Sequence, residues 1–249
     1  VDERGNGTLA KVSVSGSSTW GTDIRAIGTY IRSVEQGLYN LYVVDPSEQQ
    51  ILRYSPAADG SGYPAAPSGF LATAQDVDTV EGMYIDGDVY LAADGELRRF
   101  VGGQSGGWEA EPPRDELLRP APRYVDVTAP GDRGEGLLYA YDKSNARVIA
   151  LDKASGEFRE QFRVTLAPGW RDMRGMYVTP GGEDDPATIT WIDSKRVYTS
   201  VLEPIPASPG ASPGTSPAGS ADDTPAATRA SPRPTATPEA STDSAAAQP

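Results

Sequence analysis

The chain has 249 residues, with 22 Lys and Arg against 35 Asp and Glu and a formal charge of −13, so a polyanion such as nucleic acid is repelled. It has no cysteine and no histidine, which excludes a disulfide framework, Ser-His-Asp and Cys-His catalysts, and the usual zinc and iron ligand sets. No apolar run approaches the ~18 residues that cross a bilayer. Any catalysis would rest on Asp, Glu, Lys, Arg or Tyr, with Ca²⁺ or Mg²⁺ held by oxygen ligands.

Taken from the start, VDERGNGTLAKVSV (1–14) reads as a turn around Asn6-Gly7 and then an alternating strand. Asn6-Gly7-Thr8 also matches a glycosylation sequon, although the tight turn alone accounts for it. DIRAIGTY (23–30) sets an apolar strand behind a charged residue, and LYVVDPSEQQILRY (41–54) is a hairpin hinged at Asp45. TVEGMYI (79–85) repeats the first pattern. It leads into MYIDGDVYLAADGELRRF (83–100), where Asp86-Gly87 and Asp94-Gly95 mark two turns that need positive φ. The expected strands are 83–86, 88–93 and 96–101. DELL (115–118) is the best helix candidate, but it is short and lies between prolines.

PRYVDV (122–127) and LYAYDKSNARVIAL (138–151) form the next strand and hairpin. DMRGMYV (172–178) and ITWIDSKRVYTSVL (189–202) form the last. Between them the loop GGEDDP (181–186) carries Glu183, Asp184 and Asp185 without calcium-ligand spacing, and reads as solvated. From Glu203 onward the chain holds ten of the 22 prolines, no aromatic residue and one large aliphatic, Ile205. Such a composition cannot bury enough apolar surface to offset ordering, so 203–249 is expected to be a disordered, partly polyproline-II tail.

Laid together, the four hairpins share one design: an apolar strand, an Asp, a short turn, a second apolar strand. The hinge residues Asp45, Asp94, Asp142 and Asp193 stand 49, 48 and 51 residues apart. A period near 49 with several strands in each is the signature of a β-propeller. The expected fold is therefore all-β, with four complete blades and a partial one in 1–202. The N-terminal stretch reads as the later half of a blade, so further blades are expected before Val1. A four-bladed ring closed by 1–14 is the alternative. Asp suits the hinge because its side chain accepts bonds from N–H groups two residues on. The strands that precede the hairpins read as innermost, with small Ala26, Gly82 and Gly175 where they crowd the axis. Trp20 and Trp170 read as packing between blades.

YAYDKSNARVIALD resembles the NHL repeat, with Tyr139, Asp142, Asn145, Arg147 and Val148 filling its pattern. The other repeats depart from it: Gln49 or Gln50 stands near the Asn and Arg positions in the first, and the second and fourth have shortened turns. Residues 1–202 resemble the C-terminal propeller of membrane-anchored bacterial proteins in which a PPM-type (PP2C-like) phosphatase or related signalling domain precedes a membrane helix. The resemblance implies part of a six-bladed propeller and an extracytoplasmic sensor or adhesion module. The phosphatase's metal-binding aspartate motifs are absent from this chain.

Aligning the inner strands brings Arg25, Glu81, Arg123 and Arg174 to one equivalent position, expected at the mouth of the central channel. Three cations and an anion there could hold an anionic group, since Arg donates in a fork. They could equally solvate the rim or pair with Asp23, Asp78 and Asp172. The four hinge Asps are expected to be turn residues and not a metal set. The functional expectation is a non-enzymatic module that binds a protein, peptide or glycan, without cofactor or metal. A Ca²⁺-dependent propeller hydrolase or lactonase is the alternative, disfavoured by the mostly Arg ring and by only three asparagines (Asn6, Asn40, Asn145). A structural spacer is the third.

Overall fold

The computed structural model describes residues 24–63, 66–111, 113, 120–163, 170–182 and 185–202. The expectations for 1–14, Trp20, Asp23, DELL, Glu183, Asp184 and the tail from Glu203 lie outside the described residues. No described helix is long and apolar enough to cross a membrane.

Among the described residues, fifteen strands form four antiparallel sheets, each connected in simple sequence order. The first blade holds β1 (Ile27–Ser33), β2 (Leu38–Asp45), β3 (Gln50–Tyr54) and β4 (Ser68–Gly69). The second holds β5 (Val80–Ile85), β6 (Val89–Ala93), β7 (Glu96–Val101) and β8 (Gln104–Ser105). The third holds β9 (Tyr124–Thr128), β10 (Leu137–Asp142), β11 (Arg147–Asp152) and β12 (Phe158–Phe162). The fourth has three strands, β13 (Gly175–Thr179), β14 (Thr188–Ile192) and β15 (Val197–Val201).

Burial on both faces explains why the second strands read as unbroken apolar runs. In VYLAA, Val89, Leu91 and Ala93 pack with Tyr42, Val44 and Ile51 of the first blade. The alternate residues Tyr90 and Ala92 pack with Leu138, Ala140 and Ile149 of the third. Tyr139, Tyr141, Val148 and Ala150 then pack with Val178, Ile189 and Trp191 of the fourth. Three interblade cores thus join four blades in a row. The innermost strands follow one another in contact, β1 on β5, β5 on β9 and β9 on β13, which is the propeller arrangement. Trp170 is buried in the last of these cores, as expected of an interblade residue. Gly82 makes the close approach possible: a Cβ there would meet the Asp126 Cα at 2.8 Å.

The hinges explain the sequence pattern and correct it in two places. In the first and third blades Asp45 pairs across the ladder with Gln50, and Asp142 with Arg147, around four-residue loops. Each loop ends in a left-handed residue, Gln49 (φ 49°) or Ala146 (φ 48°). Asp45 accepts from the Ser47 N–H at 3.0 Å, and Asp193 from Lys195 and Arg196 at 2.6 and 2.7 Å. Asp94 differs. Its turn is a two-residue Asp94-Gly95 hairpin with both φ values positive (55° and 79°), so its backbone makes the bend and its side chain stays exposed. The other difference is at Asp86-Gly87, expected as a two-residue turn. Ile85 pairs with Val89, so the loop spans Asp86 to Asp88 and β6 starts at Val89, one residue later than expected. The Asp86 carboxylate accepts from the Asp88 N–H at 3.0 Å and closes that loop.

Candidate functional site

The hinge turns and the start of every inner strand lie at one end of the blades. There the structure brings three of the four aligned residues together. Arg25, Glu81 and Arg123 line one cavity of about 320 Å³, with Asp78 and Asp94 among its other walls. Arg174 is exposed and is not part of that lining; its N–H donates to the Ile192 carbonyl at 2.9 Å. The Arg123 guanidinium pairs with Glu81 at 2.5 Å across adjacent blades. Two guanidinium groups therefore face three carboxylates, so the lining is not the cationic ring expected for an anion. It suits a ligand carrying both kinds of charge, or an ammonium beside a carboxylate.

The Arg123 backbone is held by the hinge of its own blade. Asp142 accepts from the Arg123 N–H at 3.0 Å, from Asn145 Nδ2 at 2.8 Å and from Arg147 Nε at 2.8 Å. Arg147 is fully buried and reaches Gln161 on the outer strand at 2.6 Å. In the first blade Gln50 holds the equivalent position, and its amide bonds both the N–H and the carbonyl of Leu71. The Asp-Asn-Arg signature is thus a clamp that ties the hinge, the rim and the outermost strand.

No family model matches the chain, and no curated protein matches it. Among solved structures, a chain in the crystal structure of BBS1N in complex with ARL6DN, soaked with mercury, is 13% identical at a TM-score of 0.46. The match covers 76% of this chain and 54% of that one. The lead-soaked crystal of the same complex gives 14% identity and a TM-score of 0.45, over 76% and 55%. The chain spans about half the length of those chains. The propeller assignment rests on the blade topology and the interblade cores.

On the inner strand β9, facing the fourth blade, stands Asp126. One carboxylate oxygen accepts from the Val127 N–H at 2.9 Å and the other from Met176 of the fourth blade at 2.8 Å. Burial pushes its pKa up to about 6, and the two N–H bonds offset only part of that. A carboxyl whose folded pKa lies above its unfolded one binds its proton more tightly in the fold. Its contribution to stability is full below about pH 4 and is lost as pH rises through about 6. Asp126→Asn is therefore expected to remove a decline of at most on the order of 3 kcal/mol over that window. Denaturant midpoints of both proteins across pH 4–7 measure it; a wild-type-to-variant difference that stays flat with pH would refute the assignment.

The opposite end of the blades carries residues that the sequence reading missed. Lys153 is fully buried, and its ammonium donates to Asp86 at 2.9 Å and to the Asp132 carbonyl at 3.0 Å. Asp88, also buried, receives Arg99 at 2.6 and 3.0 Å and Arg133 at 2.7 Å. Arg99 goes on to the Lys153 carbonyl at 2.8 Å, which also accepts from the Trp108 indole at 3.0 Å. This network joins the second and third blades. The one available signal was Asp-Gly-Asp at 86–88, an acidic loop with more carboxylates than its turn needs.

Proposed function

We propose that the chain is a non-enzymatic recognition propeller that binds a protein or peptide at the channel mouth. It works outside the cytoplasm as the sensing part of a larger, membrane-anchored signalling protein of the kind its repeats resemble. The observation that carries this reading is the mouth cavity, where charged groups of both signs from adjacent blades surround one space. A peptide segment supplies both charges and hydrogen-bonding groups to match them. The Ca²⁺-dependent hydrolase requires several carboxylates free to take a cation, whereas Glu81 is committed to Arg123. The Asp142–Asn145–Arg147 clamp supports the NHL-like reading of the blade type.

The test is selection of peptides from a displayed random library on the full chain, followed by titration against the Arg25→Gln/Glu81→Gln/Arg123→Gln variant. Binding at the mouth predicts at least about a tenfold loss, since several charge-assisted bonds go together. Unchanged affinity, or stabilisation of the wild type by millimolar Ca²⁺ with turnover of a lactone, would overturn it.

A further inference from the structure

The third strand of each of the first three blades needs a neighbour on its outer edge, and the blades meet that need differently. In the first, β4 pairs with Leu52 and Arg53, the Phe70 N–H reaches the Ile51 carbonyl at 2.8 Å, and the Gln50 amide takes Leu71. In the third, β12 runs beside β11 from Val148 to Leu151, and Arg147 reaches Gln161. In the second blade Glu96, opposite Ala93, stands at the ladder position of Gln50 and Arg147, and its exposed side chain bonds no outer segment among the described residues. Strand β8 pairs only with Phe100 and Val101. After Ser105 the chain leaves β7 and packs Trp108 and Ala110 against the third blade, where the Glu111 N–H bonds the Gly156 carbonyl at 2.9 Å.

The ladder then decides which groups face out. Ala93 and Glu96 flank the two-residue turn as a hydrogen-bonded pair, so Glu96, Arg98 and Phe100 turn their backbone groups to β6. Leu97 and Arg99 turn theirs outward, where no strand of the described residues meets them. A groove of about 780 Å³ lies along this edge, a volume typical of ligand sites. Its apolar lining includes Leu97, Trp108, Ala110 and Tyr124, and its charged lining is Glu96, Glu109, Arg98 and Arg99, the last already paired with Asp88.

We infer that this edge takes an extended peptide of a partner protein as an added strand. The backbone of Leu97 and Arg99 supplies a donor and an acceptor each, spaced two residues apart as strand pairing requires. The apolar lining selects an aliphatic or aromatic side chain at alternate positions of the peptide, and Glu96 and Glu109 beside Arg98 favour a peptide that carries a basic residue. The site is separate from the channel mouth and does not depend on it.

Capped heptapeptides selected on the full chain provide the probe, titrated by fluorescence polarisation. Methylating one peptide nitrogen at a time removes single N–H donors without touching the protein. Strand addition predicts about a tenfold loss or more at alternate nitrogens and little change at those between. It also predicts slowed amide exchange at Leu97 and Arg99, and loss of binding in Leu97→Pro, which deletes an outward N–H. A peptide that tolerates methylation at every nitrogen, or failure to select any peptide, overturns the inference. Loss in the Arg25→Gln/Glu81→Gln/Arg123→Gln variant with full binding in a folded Leu97→Pro variant would overturn it too, while leaving the mouth reading in place.

Discussion

Lys153→Met is expected to destabilise the protein by about 3–5 kcal/mol, the range for removing one partner from a buried ion pair. Lys153 and Asp86 sit inside the interface between the second and third blades, and both are almost without solvent contact. The methionine fills the space, so lost packing is not the cause. What remains is a buried Asp86 carboxylate without its cation, and an Asp132 carbonyl that keeps only the Glu135 N–H. Urea unfolding at neutral pH measures the loss. Asp86→Asn in the same chain still accepts from the Asp88 N–H but carries no charge, so the double variant should recover part of it. A Lys153→Met protein within about 1 kcal/mol of wild type would mean that Asp86 does not depend on this cation, and that the network does not hold the blades.

Asp142→Ala is expected to cost as much, for a different reason. Arg147 is one of the largest fully buried side chains, and Asp142 is its carboxylate. Alanine leaves the guanidinium with Gln161 alone and releases the bonds from Asn145 and the Arg123 N–H. The control is the equivalent change in the fourth blade. Asp193 accepts two turn N–H groups and the Tyr198 hydroxyl at 2.9 Å but lies open to solvent and holds no buried cation, so Asp193→Ala should cost clearly less than Asp142→Ala. Equal losses at the two hinges would show that Asp142 acts only as a turn residue. The expected order is a direct test of the clamp, because the two residues occupy the same place in the repeat.

The same pair of hinges marks how far the sequence could be read. Asp142, Asn145 and Arg147 lie within six residues, and all three meet in the structure. The strands themselves came from alternation, unbroken apolar runs and Asp-Gly turns, all of which are settled by neighbours along the chain. The repeat near 49 residues then carried the fold, because each sheet must bury both faces against copies of itself. Asp94 was legible as a hairpin, but its presence in the mouth cavity was not.

The local pattern therefore determined the strands, the hinges and the blade count of the described chain. Only the tertiary structure decided which charges meet. Lys153 reaches Asp86 across 67 residues, Arg133 reaches Asp88 across 45, and Asp126 receives Met176 across 50. The repeat tells which blades adjoin, as with Asp126 and Met176 one period apart, but not which side chains meet; they meet because successive blades stack face to face and desolvate whatever lies between them. The mouth followed the same logic, with Arg25, Glu81 and Arg123 drawn together by adjoining inner strands and Arg174 left outside. That no described strand covers the outer edge of β7 at Leu97 and Arg99 depends on where the chain goes after Ser105, and Trp108 is seated against the third blade there.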